Sequence, residues 1–160
     1  MSAAERRIED DAAWPAAVAE LAEAALRRLM IWLPMPAPAI GSSPMLLDVL
    51  RGFVTAGRQR EVAWLFAEAE GIARTHGALV ALAQRLPSLL PLRQADPDFA
   101  PPAAHGFLAN DAGGVLLLDS GERATGTLCH VGKRARPLIG RFEDAWQRAR
   151  PLAELRALGL

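Results

Sequence analysis

The chain has 160 residues, of which 51% are hydrophobic and 22% charged, a globular balance that fits one domain with a substantial core. Its 18 basic residues offset 18 acidic residues, so the net charge excludes a global attraction to nucleic acid or to a membrane surface. A single cysteine excludes an internal disulfide and is typical of a cytoplasmic protein, which is the location we expect.

The N-terminal residues 1–14 are mostly polar, and we expect them to be flexible, with the folded domain spanning residues 15–160. They lack the apolar centre of a signal peptide, and the chain has no run of about 20 apolar residues that could cross a bilayer. After Trp14, apolar residues recur at three- and four-residue steps. This spacing predicts an amphipathic helix from Pro15 to Arg28.

Three apolar runs predict strands, of which the first is expected to be buried and the second to be buried on both faces. The runs comprise residues 29–33, 61–67 and 89–93, the last interrupted by a proline that favours a place toward the sheet edge. A Ser-Pro pair at 43–44 predicts the start of one intervening helix, and apolar spacing predicts another over residues 72–86, with His76 as a surface or capping group. The sequence therefore predicts a single α/β domain with a mixed β-sheet flanked by helices on both faces.

The stretch that begins at His105 gathers glycines, small polar residues and two of the three histidines on strand-like sequence. In its first strand, His105 and Phe107 share one face because side chains alternate. Residues 110–114 are a turn signal, since Asn, Asp and Gly accept left-handed conformations. Residues 115–118 and 125–131 predict two further strands, so that the stretch forms one wall of a candidate site.

Cys129 and His130 point to opposite faces of the last of these strands. They are therefore poorly placed to ligate one metal ion, and we expect neither a metal nor a cofactor. A final helix is predicted over residues 138–150. Phe142 and Trp146 lie one turn apart on it and should pack together.

This order of elements resembles one repeat of the phospholipase D superfamily. That family carries the motif H-x-K-x4-D, followed by G-S-x-N and by a helix with Phe and Trp. His105 matches the histidine, but Phe107 stands at the lysine position and Ala112 at the aspartate position. Thr127 stands for the serine and Cys129 for the asparagine. The resemblance implies a phospholipase D-like fold with a degraded motif.

More specifically, the chain from Arg28 onward resembles a bacterial family of such domains, members of which sometimes follow an N-acetyltransferase domain. In active members of the superfamily, one histidine attacks phosphorus and a second, from another repeat or subunit, protonates the leaving oxygen. Lysine and asparagine hold the phosphoryl oxygens, and the aspartate orients the histidine. Asp111 would replace that aspartate only if the hairpin shifted by one residue, which would turn its side chain to the opposite face.

Each candidate residue has a structural interpretation and a functional one. His105 is either a partly buried strand histidine or a functional remnant, and Cys129 is either a small core residue or a nucleophile. The segment 133–137 is expected to be a basic turn. Its cations either form a solvated face or bind an anionic ligand: Lys133, Arg134 and Arg136.

Three functions are consistent with these residues. The first is a non-catalytic phospholipase D-like domain that binds an anionic ligand or a protein partner. The second is a phosphodiesterase or nuclease that uses His105 and works as a homodimer, because one repeat supplies one histidine. The third is a scaffold domain associated with an acetyltransferase. The incomplete motif favours the first, and the neutral net charge disfavours nucleic acid and membranes as partners.

Overall fold

The computed structural model describes residues 5–33, 43–100, 105–119, 125–152 and 155. The strands within these ranges are β1 (Glu5–Ile8), β2 (Arg28–Leu33), β3 (Glu61–Phe66), β4 (Leu92–Gln94), β5 (Phe107–Asn110), β6 (Val115–Leu118), β7 (Gly126–Cys129) and β8 (Arg150–Pro151). The helices within them are α1 (Trp14–Ala24), α2 (Pro44–Thr55), α3 (Ile72–Thr75), α4 (Gly77–Arg85) and α5 (Gly132–Arg148).

These strands form one mixed sheet in the order β1-β7-β6-β5-β2-β3-β4-β8. At its centre β2, β3 and β4 run parallel, joined by helical crossovers. Strands β5, β6 and β7 continue the sheet antiparallel on one side and end at β1, whereas β8 pairs antiparallel with β4 on the other side. The predicted α/β domain with a mixed sheet is therefore confirmed.

Helices bury each face of the sheet. The central strands are accordingly apolar on both sides. On the first face Leu29, Ile31 and Leu33 belong to a core that includes residues of α1, α2 and α4. On the second face Met30 and Trp32 belong to a core that includes residues of α5. Burial from both sides explains the unbroken hydrophobicity of β2 and β3.

The predicted start of α2 is confirmed, and the third apolar run is shifted. Ser43 caps α2 by accepting a hydrogen bond from Leu46 N at 3.3 Å. Strand β4 begins at Leu92 instead of Leu89, although the Leu89 carbonyl already accepts a hydrogen bond from Val62 N of β3 at 2.8 Å. The run therefore lies near the sheet edge as predicted, with β8 outside it.

The polar composition of residues 1–14 predicts a flexible terminus, and the structure instead has a strand at residues 5–8. Strand β1 pairs with β7 over four residues, and Ile8 is only 2% exposed. An edge strand tolerates charged side chains because one of its sides faces water. Strand β1 therefore has a polar sequence in which one residue, Ile8, is buried. Residues 1–4 lie outside the described part of the chain.

Helix α1 ends at Ala24, and Arg28, its predicted end, belongs to β2. The helix stops because the backbone N–H groups of Leu26 and Arg27 bind the carboxylate of Asp111 instead of continuing helical hydrogen bonds. Asp111 is more than 80 residues away in sequence. The local apolar pattern therefore contains no signal for this end.

The predicted helix over residues 72–86 is divided into α3 and α4 by His76, whose backbone is not helical (φ −132°, ψ 44°). His76 is also buried, with 5% exposure, so it is not the predicted surface group; it takes the N-cap position of α4, the other predicted role, without a side-chain capping hydrogen bond. Its Nδ1 lies 2.8 Å from Thr75 Oγ1. Gly77 disfavours a continuous helix at this point, and burial of the imidazole overrides the apolar periodicity.

The last helix begins earlier than the sequence predicts. The basic turn expected at 133–137 is instead the first part of α5, which starts at Gly132 and ends at Arg148. Pro137 lies inside the helix and removes one backbone hydrogen bond. Ala135 is fully buried and anchors the preceding turn on the sheet, so tertiary packing overrides the proline signal.

Candidate functional site

The candidate site lies on the α5 face of the sheet, where β1, β5, β6 and β7 are neighbours. Phe107 is in register with Leu117, and Leu117 with Thr127. Thr127 is in register with Arg7 of β1. Neighbouring strands are about 4.8 Å apart, so Phe107 and Thr127 are separated by roughly 10 Å with Leu117 between them. The motif positions of the lysine and the serine therefore share a face without touching.

His105 lies in a turn just before β5 and is exposed, so it is not the partly buried strand residue that its pattern predicts. The sheet ladder continues one step past the strands, since Leu118 N donates to Gly106 O at 3.1 Å. Asp119 N likewise donates to Thr125 O at 3.1 Å. The ladder ends there, because Gly106 has a positive φ of 93° and His105 lies in the turn before it, so His105 and Asp119 lie at the same end of the hairpin strands without being in register.

Asp119 and Arg7 are missed by sequence reasoning. The Thr125 hydroxyl donates a hydrogen bond to the Asp119 carboxylate, and the Arg7 guanidinium forms an ion pair with it. The hydrogen bond from Thr125, with a smaller one from Arg7, holds the pKa of Asp119 below its usual value. Pairing the predicted strand that begins at His105 with the predicted strand 115–118 as a hairpin would have placed Asp119 near His105. No local signal points to Arg7, because β1 reads as a flexible terminus.

The position of the family lysine is occupied by a core aromatic. Phe107 is 0% exposed, and its ring centre lies 6.4 Å from that of Trp32. Trp32 lies 6.2 Å from Phe142. Phe142 stacks on Trp146 at 5.6 Å, which confirms the predicted packing of these two rings. The lysine position is therefore part of the core between the sheet and α5.

Cys129, at the asparagine position, is 1% exposed and belongs to the same core, in agreement with its structural interpretation. Thr127 is half-buried on the same face. Leu128 belongs to the opposite core, and His130 lies 3.0 Å from Glu20 of α1. Cys129 and His130 therefore point apart, as predicted.

Asp111 lies at the opposite end of β5 from His105. The four residues of β5 lie between the two, which corresponds to about 13 Å. The Asp111 carboxylate accepts hydrogen bonds from Leu26 N at 2.8 Å and from Arg27 N at 2.9 Å. Its role in the structure is therefore to hold the connection between α1 and β2. Ala112, at the aspartate position of the motif, is exposed in the turn.

Lys133, Arg134 and Arg136 are exposed on the first turns of α5. Arg134 forms an ion pair with Glu5 of β1. These cations follow the carboxyl end of β7, whereas His105 precedes β5 at the other end of the same group of strands. The four residues of β7 correspond to about 13 Å. The basic group and the histidine are thus two separate places on the domain.

A metal site and a membrane-spanning helix are both absent from the described residues. Within those ranges, no three His, Cys, Asp or Glu side chains gather closely enough to hold a metal ion. No helix in the same part of the chain has the length and apolar character needed to cross a membrane.

Glu20 and Asp119 should make the stability of the fold pH-dependent in acid. The hydrogen bond from Arg6, with a smaller one from His130, holds the pKa of Glu20 below 4.5, and that of Asp119 lies below 3.8. A carboxylate whose pKa is lower in the folded state stabilises the fold above its unfolded pKa, and this stabilisation is lost as pH falls through the folded pKa. We expect Glu20→Gln/Asp119→Asn to lose less free energy of unfolding on acidification than the wild type. Urea denaturation at a series of pH values measures this, and identical profiles would contradict the assignment.

Comparison with solved structures identifies a phospholipase D-like fold. Nuc from Salmonella typhimurium, a phospholipase D family member, matches with a TM-score of 0.55 and 15% identity, covering 86% of this chain and 89% of Nuc. NucT from Helicobacter pylori matches with a TM-score of 0.59 and 10% identity, covering 92% of this chain and 98% of NucT. At these identities the likeness concerns the fold alone.

TrmBL2, described as an archaeal chromatin protein with a novel mode of DNA binding, matches with a TM-score of 0.65 and 14% identity. The match covers 92% of this chain and 51% of TrmBL2, so the chain spans about half the length of that protein. The DNA binding described for this similar structure argues against the expectation, based on net charge, that nucleic acid is disfavoured as a partner.

These observations define the fold as a single-domain α/β fold of the phospholipase D type. Residues 10–158 match the family model described as Domain of unknown function (DUF7931), and the chain belongs to that family. A search of curated proteins found no matching sequence.

Proposed function

We propose that this chain is a non-catalytic phospholipase D-like domain that binds an anionic partner through the basic part of α5. The observation that carries the first half of this proposal is the complete burial of Phe107 at the position where active members of the superfamily have lysine. A side chain packed between the sheet and a helix stabilises the fold, but an aromatic ring cannot hold a phosphoryl oxygen as charge develops on it.

Three positions of the phosphoryl-transfer motif have each lost the charged or amide group of the family, which supports the same proposal. Phe107 stands for the lysine, Ala112 for the aspartate and Cys129 for the asparagine. Loss of a single transition-state donor lowers the rate of an enzyme by roughly 10²–10³. Loss of two donors and of the residue that orients the histidine is therefore expected to leave negligible turnover.

Binding of an anionic partner is supported by the exposure of Lys133 and Arg136. In the described part of the chain, Arg134 is offset by Glu5, whereas neither Lys133 nor Arg136 takes part in an ion pair with an acidic side chain. A local positive group attracts anions even when the whole protein is neutral, over about 10 Å at 0.1 M salt. The DNA binding described for TrmBL2 adds nucleic acid to the anionic partners that should be tested.

A homodimeric phosphodiesterase that uses His105 is the second candidate, and one observation favours it. His105 and Asp119 lie at the same end of the β5–β6 hairpin, and the Asp119 carboxylate is paired with Arg7. A carboxylate and a cation are therefore present at the open end of the hairpin, although neither lies at its motif position. Two copies of the chain would each supply one histidine to such an enzyme.

The two candidates differ in an activity assay. We expect initial rates of hydrolysis of bis(p-nitrophenyl) phosphate and of plasmid DNA to be the same for the wild type and for His105→Ala, because His105 has no transition-state partner at the lysine position. His130→Ala is the matched control, since His130 is an exposed histidine on the opposite face. Turnover that is lost in His105→Ala and kept in His130→Ala would overturn the non-catalytic proposal.

A further inference from the structure

We infer that the outward face of α5 is a docking surface for the phosphate backbone of a double-stranded nucleic acid. This inference rests on the proposed anion binding and deepens it by naming the class of partner. The surface, termed the α5 basic face, consists of four cations on exposed positions: Lys133, Arg136, Arg141 and Arg148.

The α5 basic face is continuous because α5 is long and buries its opposite side. The helix has 17 residues, and its buried side is formed by Ala135, Phe142, Ala145 and Trp146. At 3.6 residues per turn, the four cations lie on the outward half of the helix surface. The rise from Lys133 to Arg148 is about 22 Å. Positive charge therefore extends along one side of the domain.

Few of the acidic groups described on α5 and β1 compete for these cations. Glu143, on the flank of α5, forms an ion pair with Arg28. Glu5 forms its ion pair with Arg134, which is outside the set of four. On α5 this leaves Asp144 as the acidic residue on the outward half. The α5 basic face thus has an excess of three positive charges on a chain whose formal net charge is zero.

The chemistry of the α5 basic face favours a nucleic acid over a protein. The centres of protein interfaces are anchored by aromatic and other large apolar side chains. None of the large hydrophobic residues on α5 is exposed, and the nearest exposed one, Val131 at 41%, precedes the helix. Protein–nucleic acid interfaces are instead polar and strongly positive. Three of the four cations are arginines, whose planar guanidinium binds phosphate oxygens in pairs.

The middle of the α5 basic face is also open. Gly140 is exposed, and a Cβ atom added there would meet no other atom within 4 Å. A phosphate backbone can therefore approach the helix closely between the flanking cations.

The test is fluorescence anisotropy of the full chain with a labelled 20-base-pair duplex, from low to physiological salt. We expect the Lys133→Ala/Arg136→Ala/Arg141→Ala variant to bind at least tenfold more weakly. Its plot of log affinity against log salt should also be shallower by about 2–3, since each phosphate contact contributes about 0.9 to the slope. Asp144→Asn should bind two- to threefold more tightly, because it removes the acidic group from the face.

Matched controls separate this surface from general charge effects. Arg74→Ala/Arg85→Ala removes two exposed arginines on α3 and α4 and should leave affinity within twofold of the wild type. Val131→Ser should also leave duplex binding unchanged, whereas a protein partner anchored at the apolar residue would lose affinity. Thermal melting of each variant shows that the fold is intact.

The outcomes distinguish the inference from the proposed function beneath it. The inference is overturned if the duplex does not bind, or if it binds the wild type and the α5 variants with the same affinity. Polyglutamate that binds through α5 when the duplex does not bind overturns the inference and leaves the proposed anion binding in place. If neither polyanion binds, both fail. Cleavage of the bound duplex that requires His105 overturns the non-catalytic half alone.

Discussion

Replacing Phe107 with lysine, the residue of the family motif, should lower the free energy of unfolding by about 4 kcal/mol or more and should create no phosphodiesterase activity. The substitution removes a ring that is 0% exposed and packed against Trp32. It also forces an ammonium group into an apolar core, where its hydration is lost. Chemical denaturation measures the stability, and the hydrolysis of bis(p-nitrophenyl) phosphate measures the activity.

Phe107→Leu is the matched control for this experiment. It keeps an apolar side chain and should lower the free energy of unfolding by only about 1–2 kcal/mol. A Phe107→Lys protein that is as stable as Phe107→Leu would show that the position is open to solvent. A Phe107→Lys protein that gains turnover would show that the position still belongs to a working site, which contradicts a purely structural role for the ring.

Replacing Asn110 with alanine should lower the free energy of unfolding by about 3 kcal/mol, because it leaves buried hydrogen-bonding groups without partners. Asn110 is 0% exposed, and its Nδ2 donates to the Leu21 carbonyl at 2.9 Å. Its Oδ1 accepts hydrogen bonds from Ala112 N at 2.9 Å and from Gly114 N at 2.8 Å. One side chain thus closes the β5–β6 turn and ties it to α1.

Gln94→Ala provides the control for Asn110→Ala, since Gln94 is a side-chain amide on the exposed side of β4. Its removal should change the free energy of unfolding by no more than about 0.5 kcal/mol. Equal effects of the two substitutions, measured by urea denaturation, would contradict the role assigned to Asn110.

The fold was predictable because its strongest signals are local. Strands β2 and β3 are continuous apolar runs bounded by polar or proline-rich segments, and the Ser43 cap marks the start of α2. Such signals do not depend on a distant partner. Where they were misleading, a tertiary contact decided the structure: Asp111 ends α1, and burial of Ala135 extends α5 through Pro137.

The candidate site was only partly predictable, because its residues meet through pairing of strands far apart in the chain. His105 and Phe107 could be assigned from the motif, but their environments could not. Exposure of the first and complete burial of the second depend on where β5 starts and on what α5 covers. The approach of Arg7 to Asp119 depends on β1, a strand with a polar, charged sequence.

The most direct test of a non-catalytic domain is whether His105 forms a covalent bond to phosphorus. The protein is incubated with a phosphodiester substrate, quenched at basic pH, where phosphohistidine survives, and measured by intact-mass spectrometry beside an active member of the phospholipase D superfamily. We expect a single peak at the unmodified mass for the wild type and for His105→Ala. A phosphoryl adduct on the wild type that is absent from His105→Ala would contradict the proposal that this domain is non-catalytic.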